Sequence, residues 1–283
     1  MGEAVQTMPR RLLGGELKRL RLAAGKSLDE SGALIGKDRS RLIKVEDGRS
    51  TLKANDLEQL LTFYGATARD RKKVLAMGVE ARQRQPKRAY VDLLPGAHSR
   101  IADLEADATT ISYYDRGVVP GLLQIPEYTE GLVAACDGVW WPTPSYEERA
   151  RRVAFRLERQ KLLPDKEFEF IFTDDALTTP VAGREVMRRQ VEHLLGLVRR
   201  PNISLRLVES NDPWNPCPQG ALVLLEFEGA RRVGLLPVAY GPSMYLDDPT
   251  DTDSIDRGFQ RLRKIALSEE ESRSRLEAAL EAT

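Results

Sequence analysis

The stretch that most restricts how this chain can fold is Leu12–Arg49, LLGGELKRLRLAAGKSLDESGALIGKDRSRLIKVEDGR, because its punctuation leaves room only for short helices. Ser27-Leu28-Asp29-Glu30 has the spacing of a capping box. The serine hydroxyl accepts from the amide three residues on, and the glutamate reaches back to the serine amide. A helix therefore begins sharply at Ser27. Gly32 falls inside it, where a missing side chain costs helix propensity but lets another helix approach closely. Nine residues separate Gly36 from Glu46-Asp47-Gly48, enough for one further short helix before its stop.

That second helix is expected from about Asp38, as N-cap, to Glu46, with Leu42 and Val45 buried at helical spacing. Its outer face is then Lys37, Arg39, Ser40, Arg41 and Lys44. Two short helices, a tight turn and a basic outer face make the pattern of a helix-turn-helix DNA reader. In such a motif the first residues of the second helix meet base edges in the major groove, where arginine can bond guanine O6 and N7 together. Arg39, Ser40 and Lys44 are the candidate base contacts. Arg41, Arg49 and the Ser27 end of the first helix are the candidate phosphate contacts, since helix N-termini and basic loops position a duplex without reading it. The alternative, solvated charges on an ordinary bundle, explains less, because the basic residues coincide with the motif.

Capping box, internal glycine, turn glycine and Glu-Asp-Gly stop together resemble the Xre (lambda-repressor-like) family, over about a quarter of the chain. Three residues depart from that family's pattern: Lys26 and Ser31 replace apolar residues, and Ile43 replaces a polar one. The resemblance implies double-stranded DNA as partner. A module of this kind ordinarily dimerises to read two half-sites, so a homodimer is expected.

Charge divides the labour. The whole chain carries 43 basic and 43 acidic residues. Residues 1–89 hold 20 Lys and Arg against 11 Asp and Glu, a net of +9, which leaves 23 against 32, a net of −9, for the remainder. A basic head suits phosphate, whereas an acidic body is repelled by it and must serve another purpose. The length of 283 residues suits two domains, expected at 1–85 and 86–283. Their boundary is read near Gln83 to Arg88, where RQRQPKR is polar, basic and broken by Pro86.

Cys136 and Cys217 lack the paired spacing of a zinc site and are expected as buried thiols, not a disulfide framework. His98 and His193 are too few for a metal centre. No metal or cofactor is expected. No apolar run approaches the length of a membrane span and no signal-peptide core is visible, so no membrane contact and a cytoplasmic location are expected.

Along the chain, helices are expected over Asp56–Gly65 and from Thr67 through VEARQRQ, completing a five-helix head. LPGAHSRIADLEADATTISYYD has apolar residues at roughly helical spacing, and GVVPGLLQIPEYTEGLVAAC implies a Pro-Gly turn and another helix. Ser145 and Glu148 have capping-box spacing and open a long helix through RARRVAFRLERQKLL. Its arginine-rich face reads as solvated, with Val153, Leu157 and Leu162 toward the core. Strands are expected at Glu167-FEFIFT, at Asn202-ISLRLVE, and as a hairpin around Gly229, with a helix over Arg184–Val198 and two closing helices over Asp251–Ala266 and Glu269–Ala282. The fold class is thus a mainly α lambda-repressor-like head followed by a larger α+β domain.

The body then resembles the actinobacterial WhiJ-like regulators, through LLPGAHSRIADLEADATTISYYDRGVVPGLLQIPEYTEGL, RLERQKLL, PVAGREVMRRQVEHLLGLVRRPNISLRLV and YLDDPTDTDSIDRGFQRLRKIALSEEESR. The resemblance implies an antitoxin-like transcriptional regulator whose C-terminal domain binds a small partner protein. Within these segments, PGLLQ at 120–124 and RLERQ at 156–160 could serve a partner or ligand, or lock turns and helices. Two other readings stay open. A small-molecule effector would use a pocket lined by Trp140, Trp141 and Trp214. An enzyme would use carboxylates such as Asp174-Asp175 or Asp247-Asp248, but no catalytic triad, phosphate loop or paired-ligand motif accompanies them. The expectation is a non-enzyme.

Overall fold

Five helices form the N-terminal region: α1 Met8–Ala23, α2 Leu28–Leu34, α3 Arg39–Glu46, α4 Ala54–Phe63 and α5 Ala68–Arg82. The computed structural model describes residues 6–83, 90–91, 97–136, 139, 146–217, 220–237 and 244–282. Helix α5 starts at the Thr67 cap, whose hydroxyl accepts from the Asp70 amide at 3.1 Å. It buries Val74, Met77, Gly78 and Ala81, an i, i+3, i+4, i+7 stripe that packs on α1. The expected linker at 83–88 and the Ser145–Glu148 box lie outside the described residues, apart from Gln83 at the end of α5 and the backbone of α8.

Cα packing divides the chain into two compact units, Met1–Asp103 with Pro242–Asp248, and Leu104–Gly241 with Pro249–Thr283. The first unit adds to its five helices a two-stranded pair, β1 Tyr90–Val91 antiparallel to β7 Met244–Leu246. Neither strand is readable by periodicity, since two or three residues are too few to show one. Helix α6, Ala97–Asp107, follows β1.

The second unit is a mixed sheet with helices, so the chain is an α-helical head followed by an α+β region. Strands β2 Thr110–Asp115, β3 Glu167–Thr173 and β4 Ile203–Val208 are parallel. β5 Leu222–Phe227 and β6 Ala230–Leu236 form the expected hairpin, with Gly229 at φ +64° in its turn. The spatial order is β6-β5-β2-β3-β4, with β5 antiparallel to β2. Parallel neighbours require crossovers. Helices α7 Pro126–Ala135 and α8 Tyr146–Gln160 make the first, and α9 Arg184–Leu197 the second. The closing helices are α10 Pro249–Ile265, packed on β5 and β6, and α11 Glu269–Ala282, packed on β4 and α9.

One expectation is corrected at the centre of the sheet. The helical spacing read through LEADATTISYYD ends at Asp107, and TISYYD is the strand β2. Ile111 through Tyr114 are all buried, so both faces of β2 are covered and the alternation that marks a half-exposed strand is absent. Thr, Ile and Tyr are nevertheless the β-branched and aromatic residues that fit a pleated surface.

Candidate nucleic-acid interface

The Ser27 box closes as its spacing requires. The Glu30 amide donates to the Ser27 hydroxyl oxygen at 3.1 Å, and the Ser27 amide donates to Glu30 Oε2 at 2.8 Å. Those bonds to Ser27 hold the exposed Glu30 carboxyl below its ordinary range. Gly32 earns its place by close approach, although to the turn and not to a helix: a Cβ there would lie 2.6 Å from the Lys37 carbonyl oxygen. The Lys37 amide meets the Gly32 carbonyl at 2.9 Å, which closes the turn after α2.

Helix α3 then starts at Asp38, whose carboxylate accepts from the Ser40 hydroxyl at 2.8 Å and from the Arg41 amide at 2.7 Å. These two bonds keep the Asp38 carboxyl ionised and below its usual range. Leu42 and Val45 are buried at 1% and 0% exposure, each contributing roughly 1.5–3 kcal/mol to holding the helix down. Gly48, at φ +70°, ends the segment and packs where a Cβ would stand 2.6 Å from the Arg11 Cα. Gly14 on α1 has the same tight fit against α3, since its Cβ would sit 2.4 Å from the Val45 and Glu46 carbonyl oxygens.

A buried ion pair fixes the far end of α3. Arg21 Nε and Nη2 donate to the two Glu46 carboxylate oxygens at 2.6 and 2.8 Å, and Arg21 Nη1 donates to the Lys26 carbonyl at 2.9 Å. Both side chains are under 10% exposed, at 9% and 7%. Neither residue stands out in the sequence as more than a helix charge; only the paired placement reveals the role.

Against this frame the seven sequence-derived residues Ser27, Lys37, Arg39, Ser40, Arg41, Lys44 and Arg49 are all exposed. With Leu42 and Val45 inward, the helical period turns Ser40 directly outward with Lys44 on the same outer face, and leaves Arg39 and Arg41 on opposite flanks. Arg39 lies 3.5 Å from Asp29 in an exposed pair, a contact worth little against a competing ligand. Arg41 donates to the Thr51 carbonyl at 3.2 Å. Ser27 has its amide and hydroxyl engaged by Glu30. The three departures from the pattern are accommodated. Ser31 is fully buried but bonds the Ser27 carbonyl at 2.7 Å, Lys26 Nζ sits 4.5 Å from the Phe63 ring centroid, and Ile43 stays 38% exposed.

In the second unit, PGLLQ and RLERQ meet. Gln160 donates to the Gln124 carbonyl at 2.6 Å, and Arg156 donates to Gln124 Oε1 at 2.6 Å. Arg159 forks onto Glu105, itself fully buried, and both touch the Tyr113 hydroxyl. The expectation of a wholly solvated arginine face on α8 is thereby corrected, because Arg159 is only 16% exposed and Arg156 is half-buried. Val153 is buried as expected; Leu157 and Leu162 are half-buried, and Leu163 takes the core position instead. The two cysteines are free but half-buried, not buried. His193 is half-buried, and burial lowers its imidazole pKa. Trp214 is 67% exposed under the Arg261 guanidinium, while Trp140 and Trp141 lie outside the described residues. Asp174 accepts from the Ser210 amide at 2.9 Å and Asp175 from the Thr173 hydroxyl at 2.5 Å, so both bind the loops that follow the strands. Among the described residues no cluster of His, Cys, Asp and Glu could hold a metal, and no helix is long and apolar enough to cross a membrane.

An outward basic helix on so fixed a support has the build of a major-groove reader, and the protein is a DNA-binding regulator of the helix-turn-helix class. A family model described as a helix-turn-helix domain matches residues 12–74. A second, described as a domain of unknown function (DUF5753), matches residues 98–278, more than half of the chain, and the protein belongs to that family. No curated protein and no solved structure matches the chain.

Proposed function

We propose that the protein is a sequence-specific transcriptional regulator of the Xre type, acting as a homodimer in the cytoplasm, whose C-terminal domain binds a small partner protein in the antitoxin-like manner of the WhiJ-like regulators. The observation that carries the DNA-reading part is the exposed row Arg39, Ser40 and Lys44 on a helix fixed by the Arg21–Glu46 pair. In this reading those three residues meet bases, with Lys37 beside them. Arg41, Arg49 and the Ser27 end of α2 meet phosphate. The partner-binding part is supported by the resemblance of the body to WhiJ-like proteins and by its net −9, which suits something other than DNA.

The body is read as a receiver without an activity of its own, with no cofactor. The engagement of Asp174 and Asp175 in loop hydrogen bonds favours that over a carboxylate site. For a partner to regulate, it must bind the DNA-competent and DNA-incompetent arrangements with different affinity, and a coupling of roughly 1–3 kcal/mol is ordinary. The test is to select duplexes from a random pool with the full chain, then titrate the winner with and without proteins that co-purify from the native host. A selected palindromic site whose affinity changes with a small co-purifying protein is the expected result. No enriched sequence defeats the reader assignment, and an enriched sequence with unchanging affinity defeats the receiver assignment.

A further inference from the structure

Asp115 ends β2, and its carboxylate is left over. It is half-buried at the carboxyl end of a central strand, and among the described residues no donor hydrogen-bonds it. The Arg156 and Arg159 guanidinium groups face it as charges, yet neither closes an ion pair with it. Arg159 is already committed to Glu105 and Tyr113. Arg156 is not: one described hydrogen bond uses its fork of N–H donors, the one from Nη1 to Gln124 Oε1. Gln124 cannot give more. It is 2% exposed, its amide donates to the Val119 carbonyl at 2.7 Å, and its oxygen also accepts from the Thr129 hydroxyl at 3.0 Å.

The place in the fold is the carboxyl edge of the parallel strands, where ligands are commonly held. β2 has β3 parallel on one side and β5 antiparallel on the other, so the sheet changes direction at this strand. In open sheets with parallel strands, ligands commonly bind outside the carboxyl ends of those strands. Gly117, at φ +67°, turns the chain away just beyond Asp115 and is tied to β3 by its amide, which donates to the Thr173 hydroxyl oxygen at 2.8 Å.

We propose that the carboxyl end of β2 is a small-molecule site in which Arg156 donates to a carboxylate and Asp115 accepts from an ammonium, so that its ligand is an α-amino acid or a close derivative. Two unlike charges that face each other without closing an ion pair fit one molecule that carries both complements. A simple anion would satisfy Arg156 and confront Asp115, and a simple cation would do the reverse; either leaves a buried charge unanswered, which is costly.

The proton balance separates these cases. Burial pushes the Asp115 carboxyl up to about 7, against the pull of Arg156 and then Arg159. The other titratable groups facing it are Tyr113 on its own strand and Tyr128 on α7, while Glu105 from α6 is held by Arg159. An ammonium beside Asp115 favours its ionised form, so an amino acid expels a proton on binding and its affinity falls as pH drops through that value. An anion alone draws a proton in and shows the opposite dependence.

The site stands apart from the DNA and partner readings, and its test uses the full chain without DNA. Thermal unfolding is followed with a mixture of the proteinogenic L-amino acids and, separately, with acetate and with methylammonium. The binding member is then titrated by calorimetry in two buffers of different ionisation enthalpy. A higher Tm with amino acids only, proton release on binding, and affinity weakened about tenfold or more in Arg156→Lys and Asp115→Asn are the expected results. The near-isosteric Asp115→Asn guards against misfolding, and proton release by the unaltered protein needs no variant. No rise with the amino-acid mixture, an equal rise with acetate, or proton uptake on binding overturns the proposal. A gel-shift on the same sample reports separately on DNA binding.

Discussion

The buried Arg21–Glu46 pair sets the pitch of α3 more firmly than any exposed charge on that helix could. Removing one partner strands the other, so Glu46→Ala should destabilise the protein by about 3–5 kcal/mol in denaturant unfolding. The exposed Arg39–Asp29 pair should behave differently. Arg39→Ala should leave stability almost unchanged and relax the preference at one base position by about 1–3 kcal/mol, whereas Arg49→Ala should weaken all duplexes about equally. Sites selected from a random pool by each variant distinguish those outcomes. Glu16 adds a dependence on pH. Burial at 1% exposure pushes its carboxyl up, but hydrogen bonds and charge from Arg19 and Lys73 more than offset this and leave it below the ordinary range. A carboxylate depressed in the folded state stabilises above its unfolded pKa, and that contribution disappears as pH falls through the folded value. Glu16→Gln should therefore be the less stable protein near neutrality, with the difference shrinking below about pH 4; urea midpoints at two pH values measure it.

Elements announced by local chemistry are the ones legible in the sequence. Ser27, Asp38 and Thr67 each mark a helix start that the structure keeps, because a cap involves residues only a turn apart. A further capping box opens α11: the Glu271 amide donates to the Ser268 hydroxyl oxygen at 3.2 Å, and the Ser268 amide to Glu271 Oε2 at 2.8 Å. Its signal, Ser-x-x-Glu before a helical run, was present in SEEE. Ser27→Ala and Ser268→Ala should each cost about 1 kcal/mol, measured by chemical denaturation. Other features could not be read locally. β2 hides because both of its faces are covered, and Ile111 satisfies a helical spacing as well as a strand. Arg156 and Arg159 look like solvent-facing charges until Glu105 and Gln124, distant in sequence, are brought to them. The basic row on α3 was legible because it needs only the helical period. The Asp115 site was not, since it depends on a strand that periodicity did not reveal.

At the scale of the whole molecule the zero net charge conceals a +9 head and a −9 remainder, so bulk charge is a poor guide to DNA affinity. If five or so phosphates are neutralised by the exposed basic residues, the logarithm of affinity should fall with the logarithm of salt at a slope of roughly −4 to −5. Measuring full-chain binding across a salt series checks this, and a flat response would contradict a phosphate-anchored interface. The pairing of Tyr90 with Tyr245 and Val91 with Met244 has a further consequence. During synthesis the five helices leave the ribosome early, yet the strand that completes their unit is translated only after every strand of the other unit. The N-terminal unit therefore cannot be finished until all the strands of the C-terminal one have been made, and an interrupted message yields the five helices without the strand that pairs with β1.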